Sequence, residues 1–248
     1  MLFRLRKFSF RTAFSGEAQC VADGRAEALA ALAQEIDACR ACPLGSTRTR
    51  SVPGEGRPDA ELLFVGEAPG ASEDSVGRPF VGAAGKLLDL FLGLTGRSRE
   101  DVFVLNVVKC RPPDNRDPEP EEVAACAQFL QRQLSILSPV LVAPLGRHAL
   151  RTFAPTAKIS AVHGSPLAEG VGLPLGATLF PLYHPAAALH NGALRPTLER
   201  DMGALVRELP AARVRWASAR GVAEEARLVA HDPSAEREQL RLFESEAE

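Results

Sequence analysis

Two glutamates, a phenylalanine, an asparagine and a histidine stand where chemistry could be done. Glu67 and Glu73 lie in V-G-E-A-P-G-A-S-E-D, Phe80 follows in G-R-P-F-V-G, Asn106 sits in V-L-N-V-V-K-C, and His184 is in L-Y-H-P-A-A. Carboxylates can orient a water. An amide offers an acceptor beside a pair of donors, and an imidazole N–H can stabilise an oxygen that gains charge. With a ring to stack on, the set makes a pocket for a flat, polar, ring-shaped ligand. Gly66, Ala68 and Pro69 belong to the same turn, whose glycines let backbone approach a ligand closely. Pro185 biases His184 toward extended backbone, which helps aim its ring.

On residue type alone each also has a structural reading. A strand-end asparagine often satisfies backbone, a lone histidine often serves as a hydrogen-bonding strut, and a phenylalanine beside a proline is often core. His148, His163, His190 and His231 keep that structural reading. The cysteines are a second constellation: Cys39 and Cys42 form a C-x-x-C, with Cys110 and Cys126 as distant singles. Four thiolates can hold zinc or an iron–sulfur cluster. Zinc sites built from two knuckles show two C-x-x-C pairs, and this chain has one. The alternative is that Cys110 and Cys126 are small buried apolar residues. Cys20 joins neither set.

The elements that must position these residues follow from hydrophobic pattern. Apolar, β-prone stretches predict strands at 61–66, 102–109, 139–144 and 177–182. Helical spacing predicts helices at 26–39, 82–95, 118–137, 146–153 and 196–209. Such alternation implies an α/β fold: a single domain over 25–210, with a central four-stranded parallel sheet flanked by helices. Ligands in such sheets sit at the carboxyl ends of strands, where Glu67, Asn106 and His184 fall. The Gly- and Pro-rich stretch 158–176 breaks the rhythm and suggests a short hairpin. From Pro210 the core pattern fades, so 211–248 reads as a flexible tail with some helix at 211–230.

Composition sets bounds. Of 248 residues, 46% are hydrophobic, enough to fill a core. No apolar run approaches the roughly 18 residues that span a bilayer. Net charge is −2, but the segment from Asp232 holds six acidic against two basic residues, leaving a mildly basic body compatible with DNA. Residues 1–24 read as a poorly ordered extension rather than a targeting peptide, because charge interrupts their apolar run. Grouped thiols without an export signal favour a reducing, cytoplasmic location. Gly85-Lys86 is no phosphate loop, since Leu87 stands where Ser or Thr is needed.

Taken together, G-E-A-P-G, G-R-P-F-V-G, N-V-V-K-C-R-P-P and H-P-A-A resemble the family 4, iron–sulfur-containing uracil-DNA glycosylases, over roughly residues 35–210. The resemblance implies a monofunctional enzyme that flips uracil from double- or single-stranded DNA and hydrolyses its N-glycosidic bond. Such an enzyme would be a monomer associated with the bacterial nucleoid. It implies a [4Fe–4S] cluster on Cys39, Cys42, Cys110 and Cys126 that staples the N-terminal helix and the 110–126 segment to the sheet, since base excision needs no electron. Asn106 would read the uracil edge, Phe80 would stack on the base, and His184 would donate to O2. Family 1 enzymes carry an aspartate at the position of Ala68. Its absence leaves Glu67, expected to line the pocket, and Glu73, expected to place water. Asp74 could cap the turn.

Further assignments rest on the same likeness. H-P-A-A-A-L-H-N-G resembles a loop that enters the minor groove, with Leu189 as the wedge, and Arg195 and Arg200 as phosphate contacts. Q-L-R-L-F at 239–243 resembles a peptide that binds the bacterial sliding clamp, through Gln239, Leu240, Leu242 and Phe243. A related alternative is a protein that binds or covalently traps uracil-DNA without turnover. Such relatives carry a basic insertion after the G-R-P-F-V-G region, which this chain lacks.

Overall fold

In this computed structural model, residues 14–167 and 170–230 are described, with side chains over 24–167 and 170–224. In chain order the helices are α1 (Phe14–Ala38), α2 (Leu44–Thr47), α3 (Ala71–Val76), α4 (Ala83–Leu94), α5 (Pro120–Leu137), α6 (Gly146–Phe153), α7 (Ile159–Val162), α8 (Pro185–His190) and α9 (Arg195–Ala230). The strands are β1 (Glu55–Gly56), β2 (Leu62–Gly66), β3 (Phe103–Asn106), β4 (Leu141–Pro144) and β5 (Thr178–Leu179), in the order β1-β3-β2-β4-β5.

The sheet is built on strands apolar on both faces, as a parallel sheet covered by helices requires. Successive side chains of a strand point to opposite faces. Leu62 and Phe64 therefore pack against Leu88, Phe91 and Leu92 of α4 and Leu198, Met202 and Leu205 of α9. Leu63 and Val65 pack against Leu32 and Ile36 of α1, Phe129, Leu130 and Leu134 of α5, and Leu150 and Phe153 of α6. β3, β2, β4 and β5 run parallel, which is the predicted four-stranded core. The fifth strand is a correction to that count. β1 is antiparallel to β3 and only two residues long, too short for any alternation to be visible. It lies so close that a Cβ on Gly56, at φ +139°, would stand 2.0 Å from the Val102 carbonyl oxygen.

Two further elements differ from expectation. Of the hairpin expected over 158–176, the described residues show a single antiparallel bridge with β5. The stretch contains α7, and Leu167 bridges Leu179 of β5, donating its N–H to the Leu179 carbonyl at 2.7 Å. The helix expected to end at 209 runs through Pro210 to Ala230. An interior proline costs about 3 kcal/mol through a lost hydrogen bond and a clash. Tertiary contacts offset that cost: Leu209 and Ala212 are buried, Arg213 forms a bidentate pair with Glu61, and Arg215 donates to Thr178. A composition boundary at 210 thus falls inside a packed helix. Similarly, α1 begins at Phe14, upstream of the expected start at 26.

Candidate active site

β2 and β3 end side by side, with Gly66 and Asn106 paired in register. The chain turns there, and Val107 and Val108 donate back to the carbonyls of Gly66 and Glu67, which fixes the turn after β2. Gly66 has no Cβ because there is no room: one would stand 2.2 Å from Asn106 Oδ1 and 2.7 Å from the Phe80 ring. The asparagine amide and the ring therefore converge over the glycine. Asn106 is 1% exposed and its Oδ1 has no hydrogen-bond partner. Burying such an acceptor unpaired costs roughly 1–3 kcal/mol, which a ligand N–H would relieve.

Phe80 is held in place against its own preference. Its φ of +52° lies in the left-handed region that a bulky residue rarely occupies. Arg99, paired to Asp89 at 2.6 Å, donates to the carbonyls of Pro79 and Phe80. Gly85 makes space for the Phe80 carbonyl, which a Cβ would approach to 1.7 Å. The His184 ring lies 5.7 Å from the Phe80 ring and is stacked at 28°.

His184 caps α8, and the Ala186 N–H donates to its Nδ1 at 3.1 Å. Nδ1 is thus the acceptor and the ring proton belongs on Nε2. Burial pushes the pKa of His184 down to about 4, opposed by the charge of Glu73, so the imidazole is a neutral donor near pH 7. Asn106, Phe80, His184, Glu67, Ala68 and Pro69 all line one cleft of about 790 Å³.

The two glutamates differ. Glu73 Oε1 accepts from the N–H groups of Val81 and Gly82 at 2.9 Å, and Oε2 accepts from Gly70 at 3.1 Å. Three of a carboxylate's roughly four lone-pair sites are thereby occupied. Glu67 accepts no hydrogen bond among the described residues. Burial pushes its pKa up to about 7, with the Asp117 charge adding to the rise and Arg147 opposing it. Asp74 does not cap its own turn: buried, it accepts from the Thr49 N–H at 2.9 Å.

The residues missed from sequence lie on the rim. Asp117 precedes α5, and Arg147 and His148 open α6; all three line the cleft. Arg147 Nε donates to His148 Nε2 at 2.7 Å, and His148 Nδ1 lies 3.8 Å from Glu67 Oε1. His190 also lines the cleft, whereas Leu189 beside it is exposed. Arg195 pairs with Glu199 at 3.0 Å, and Arg200 reaches Asp201 at 3.9 Å. Neither arginine lines the cleft. No chain-local pattern marks Asp117 or Arg147, since only the fold brings them to Glu67.

Cys39, Cys42, Cys110 and Cys126 line a second, smaller cavity together with Arg48 and Lys109. All four are free thiols, and burial pushes Cys126 up to about 11 and Cys110 upward, so a bound metal would displace their protons. Among the described residues no three of these sulfurs lie within 4.8 Å of one another. A single tetrahedral zinc at about 2.3 Å would need sulfurs ~3.8 Å apart. Four thiols around one small cavity suit a metal site. Arg48 donates to Cys110 Sγ at 2.9 Å, and Lys109 is 1% exposed with no carboxylate partner among the described residues. Both cations fit an anionic group held by thiolates. Cys20 lies in α1 with its side chain not described, and the 239–243 peptide lies outside the described residues.

A mostly parallel sheet with a strand-end cleft, lined by a buried amide, a ring and a neutral histidine, is the architecture of a ligand-binding α/β protein. The chain belongs to the uracil DNA glycosylase superfamily, whose family model matches residues 53–206. Several type-4 members are similar to it over most of their own length. It is 46% identical to the type-4 uracil-DNA glycosylase of Sulfurisphaera tokodaii over 71% of this chain and 82% of that one. With the type-4 uracil-DNA glycosylase of Archaeoglobus fulgidus the identity is also 46%, over 71% and 90%. A type-5 uracil-DNA glycosylase of Thermus thermophilus is 36% identical over 48% of this chain and 69% of its own.

Proposed function

We propose that this chain excises uracil from DNA as a monofunctional glycosylase, leaving an abasic site for base excision repair. The observation that carries the reading is the buried, unpaired Oδ1 of Asn106 beside the Phe80 ring. Uracil N3–H supplies the donor that this oxygen lacks, and the amide nitrogen donates to O4. Cytosine reverses that pattern and would leave polar groups unpaired, which can discriminate by several orders of magnitude. The base leaves the duplex to reach the cleft, at a cost of a few kcal/mol, and stacks on Phe80.

His184 donates from Nε2 to O2, where charge develops as the bond to the sugar breaks. A donor that strengthens with developing charge lowers the barrier rather than merely tightening binding. The water that meets the oxocarbenium-like sugar needs an acceptor. Glu67, with both oxygens free, fits that task better than Glu73, whose carboxylate holds the Gly70–Gly82 turn. This division reverses the expectation from sequence. The four cysteines hold a [4Fe–4S] cluster, which when bound supplies a covalent staple between the end of α1, the turn after β3, and α5.

Leu189 fills the gap left by the flipped base, while Arg195 and Arg200 meet phosphates. The 239–243 peptide docks on the sliding clamp, and a chain ending at Pro233 should lose that binding. The central test is a gel assay on labelled DNA containing one uracil, followed by alkali. Turnover supports the reading; a stoichiometric shifted species indicates a trapping protein, and an uncut strand overturns the assignment.

A further inference from the structure

We propose that Asp117 and Arg147, oppositely charged side chains on the cleft rim, are positioning residues that set the charge on Glu67. The inference rests on the reading that ionised Glu67 places the water. Atoms of Glu67, Asp117 and His148 lie within 4.8 Å of one another. Two carboxylates that close disfavour each other's ionisation. Arg147 supplies the opposing charge: its Nη2 lies 3.8 Å from Asp117 Oδ2, and its Nε is committed to His148 Nε2. The rim pair therefore works as a balance, Asp117 holding a proton on Glu67 and Arg147 releasing it.

The other groups facing this point are accounted for. Arg116 is bound in a bidentate pair with Glu122, and Glu73 is saturated by backbone N–H groups. Burial pushes the pKa of His148 down, and that of His184 lies at about 4, so both are neutral near pH 7. His190 lines the same cleft. Burial is the main cause that pushes the pKa of Glu67 up to about 7; the Asp117 charge adds to the rise and Arg147 opposes it, so the rim pair tunes a shift that burial sets. Asp117 and Arg147 are 63% and 67% exposed in their side chains, so neither substitution should threaten the fold.

The test is single-turnover cleavage of uracil-DNA at saturating enzyme, measured from about pH 5 to 9. The wild type should show a rate that rises with pH through a midpoint near 7, as Glu67 loses its proton. Asp117→Asn should move that midpoint down by about half a unit to one unit, and Arg147→Gln should move it up by a similar amount. The double variant should return toward the wild-type midpoint. His148→Phe should keep a rising limb, which excludes titration of the imidazole as its source. If Glu67→Gln keeps the wild-type rate and limb, the water-placing role of Glu67 fails. If Glu67→Gln removes the limb but Asp117→Asn and Arg147→Gln leave its midpoint fixed, or move it the same way, the positioning proposal alone is overturned.

Discussion

Gly66 and Asn106 face one another across β2 and β3, so closely that a single methyl on the glycine would collide with the asparagine Oδ1 at 2.2 Å. Gly66 does not have a positive φ, so its requirement is for space, not backbone freedom. Gly66→Ala should therefore leave the sheet folded but push the amide or the Phe80 ring out of place. A displacement near 1 Å costs about a hundredfold in rate, read as single-turnover cleavage. Gly93→Ala is the control. Gly93 lies in α4 with nothing within 4 Å of its would-be Cβ, and the substitution should stabilise by about 0.5–1 kcal/mol.

His184, proposed as the donor to the base, also bears on acid stability. Its folded pKa, about 4, lies below its ordinary value near 6.5 because burial disfavours the charged ring. The unfolded chain therefore binds the proton first as pH falls. The stability tied to the neutral ring is fully present above pH 6.5 and is lost progressively as pH drops toward 4. A shift of this size corresponds to at most about 3 kcal/mol, less where the cleft admits solvent. Urea unfolding at pH 7 and pH 4.5 should show a smaller difference for His184→Gln than for the wild type. The same variant should lose about 10²–10³ in cleavage, as expected for a donor to a developing oxyanion. An unchanged pH difference would contradict the buried neutral imidazole.

Much of this was legible from sequence for definite physical reasons. The run Leu62 to Val65 is apolar on both faces, so it declares a buried parallel strand, and Asn106 and His184 fall just where such strands end. Strand β1 was not legible, because two residues in a Gly- and Pro-rich loop carry no period. Pro210 misled, since a proline argues locally for a helix end while Ala212, Arg213 and Arg215 hold the helix through long-range contacts. The rim of the cleft was equally hidden. Asp117 and Arg147 are thirty residues apart in sequence and meet only because α5 and β4 return the chain to the same edge. Glu73 shares its motif with Glu67, and only the fold shows that its carboxylate accepts from Gly70, Val81 and Gly82.

That difference between the glutamates is testable by one pair of substitutions. Glu73→Gln replaces an acceptor oxygen by an amide nitrogen against backbone donors that are already committed to it. Leaving such donors unpaired should cost about 1–3 kcal/mol of stability, with cleavage falling as the turn loosens. Glu67→Gln removes no hydrogen bond present among the described residues, so its unfolding free energy should stay near wild type while cleavage falls. Denaturant curves and single-turnover rates on both proteins decide the matter. Equal stability losses would return the water to Glu73.

The cysteine site makes the last prediction through Lys109. Its side chain is buried at 1% exposure and donates to the Asn106 carbonyl; burial pushes its pKa down to about 8, and Cys126 and Cys110, once they are thiolates in a metal site, are the groups that oppose that fall. A buried cation left without its counter-charge is strongly destabilising, by about 3–5 kcal/mol. Cys126→Ala should therefore abolish bound iron, together with the absorbance near ~400 nm expected of thiolate-bound iron. It should also destabilise the fold by more than the loss of one small buried side chain explains. Lys109→Met in that background removes the stranded charge, so the double variant should regain part of the lost stability without regaining iron. Purification without oxygen, iron content and urea unfolding measure both effects. If Lys109→Met lowers stability equally with and without Cys126, the lysine is not balanced by the thiolate site, and its hydrogen bond to Asn106 is its whole contribution.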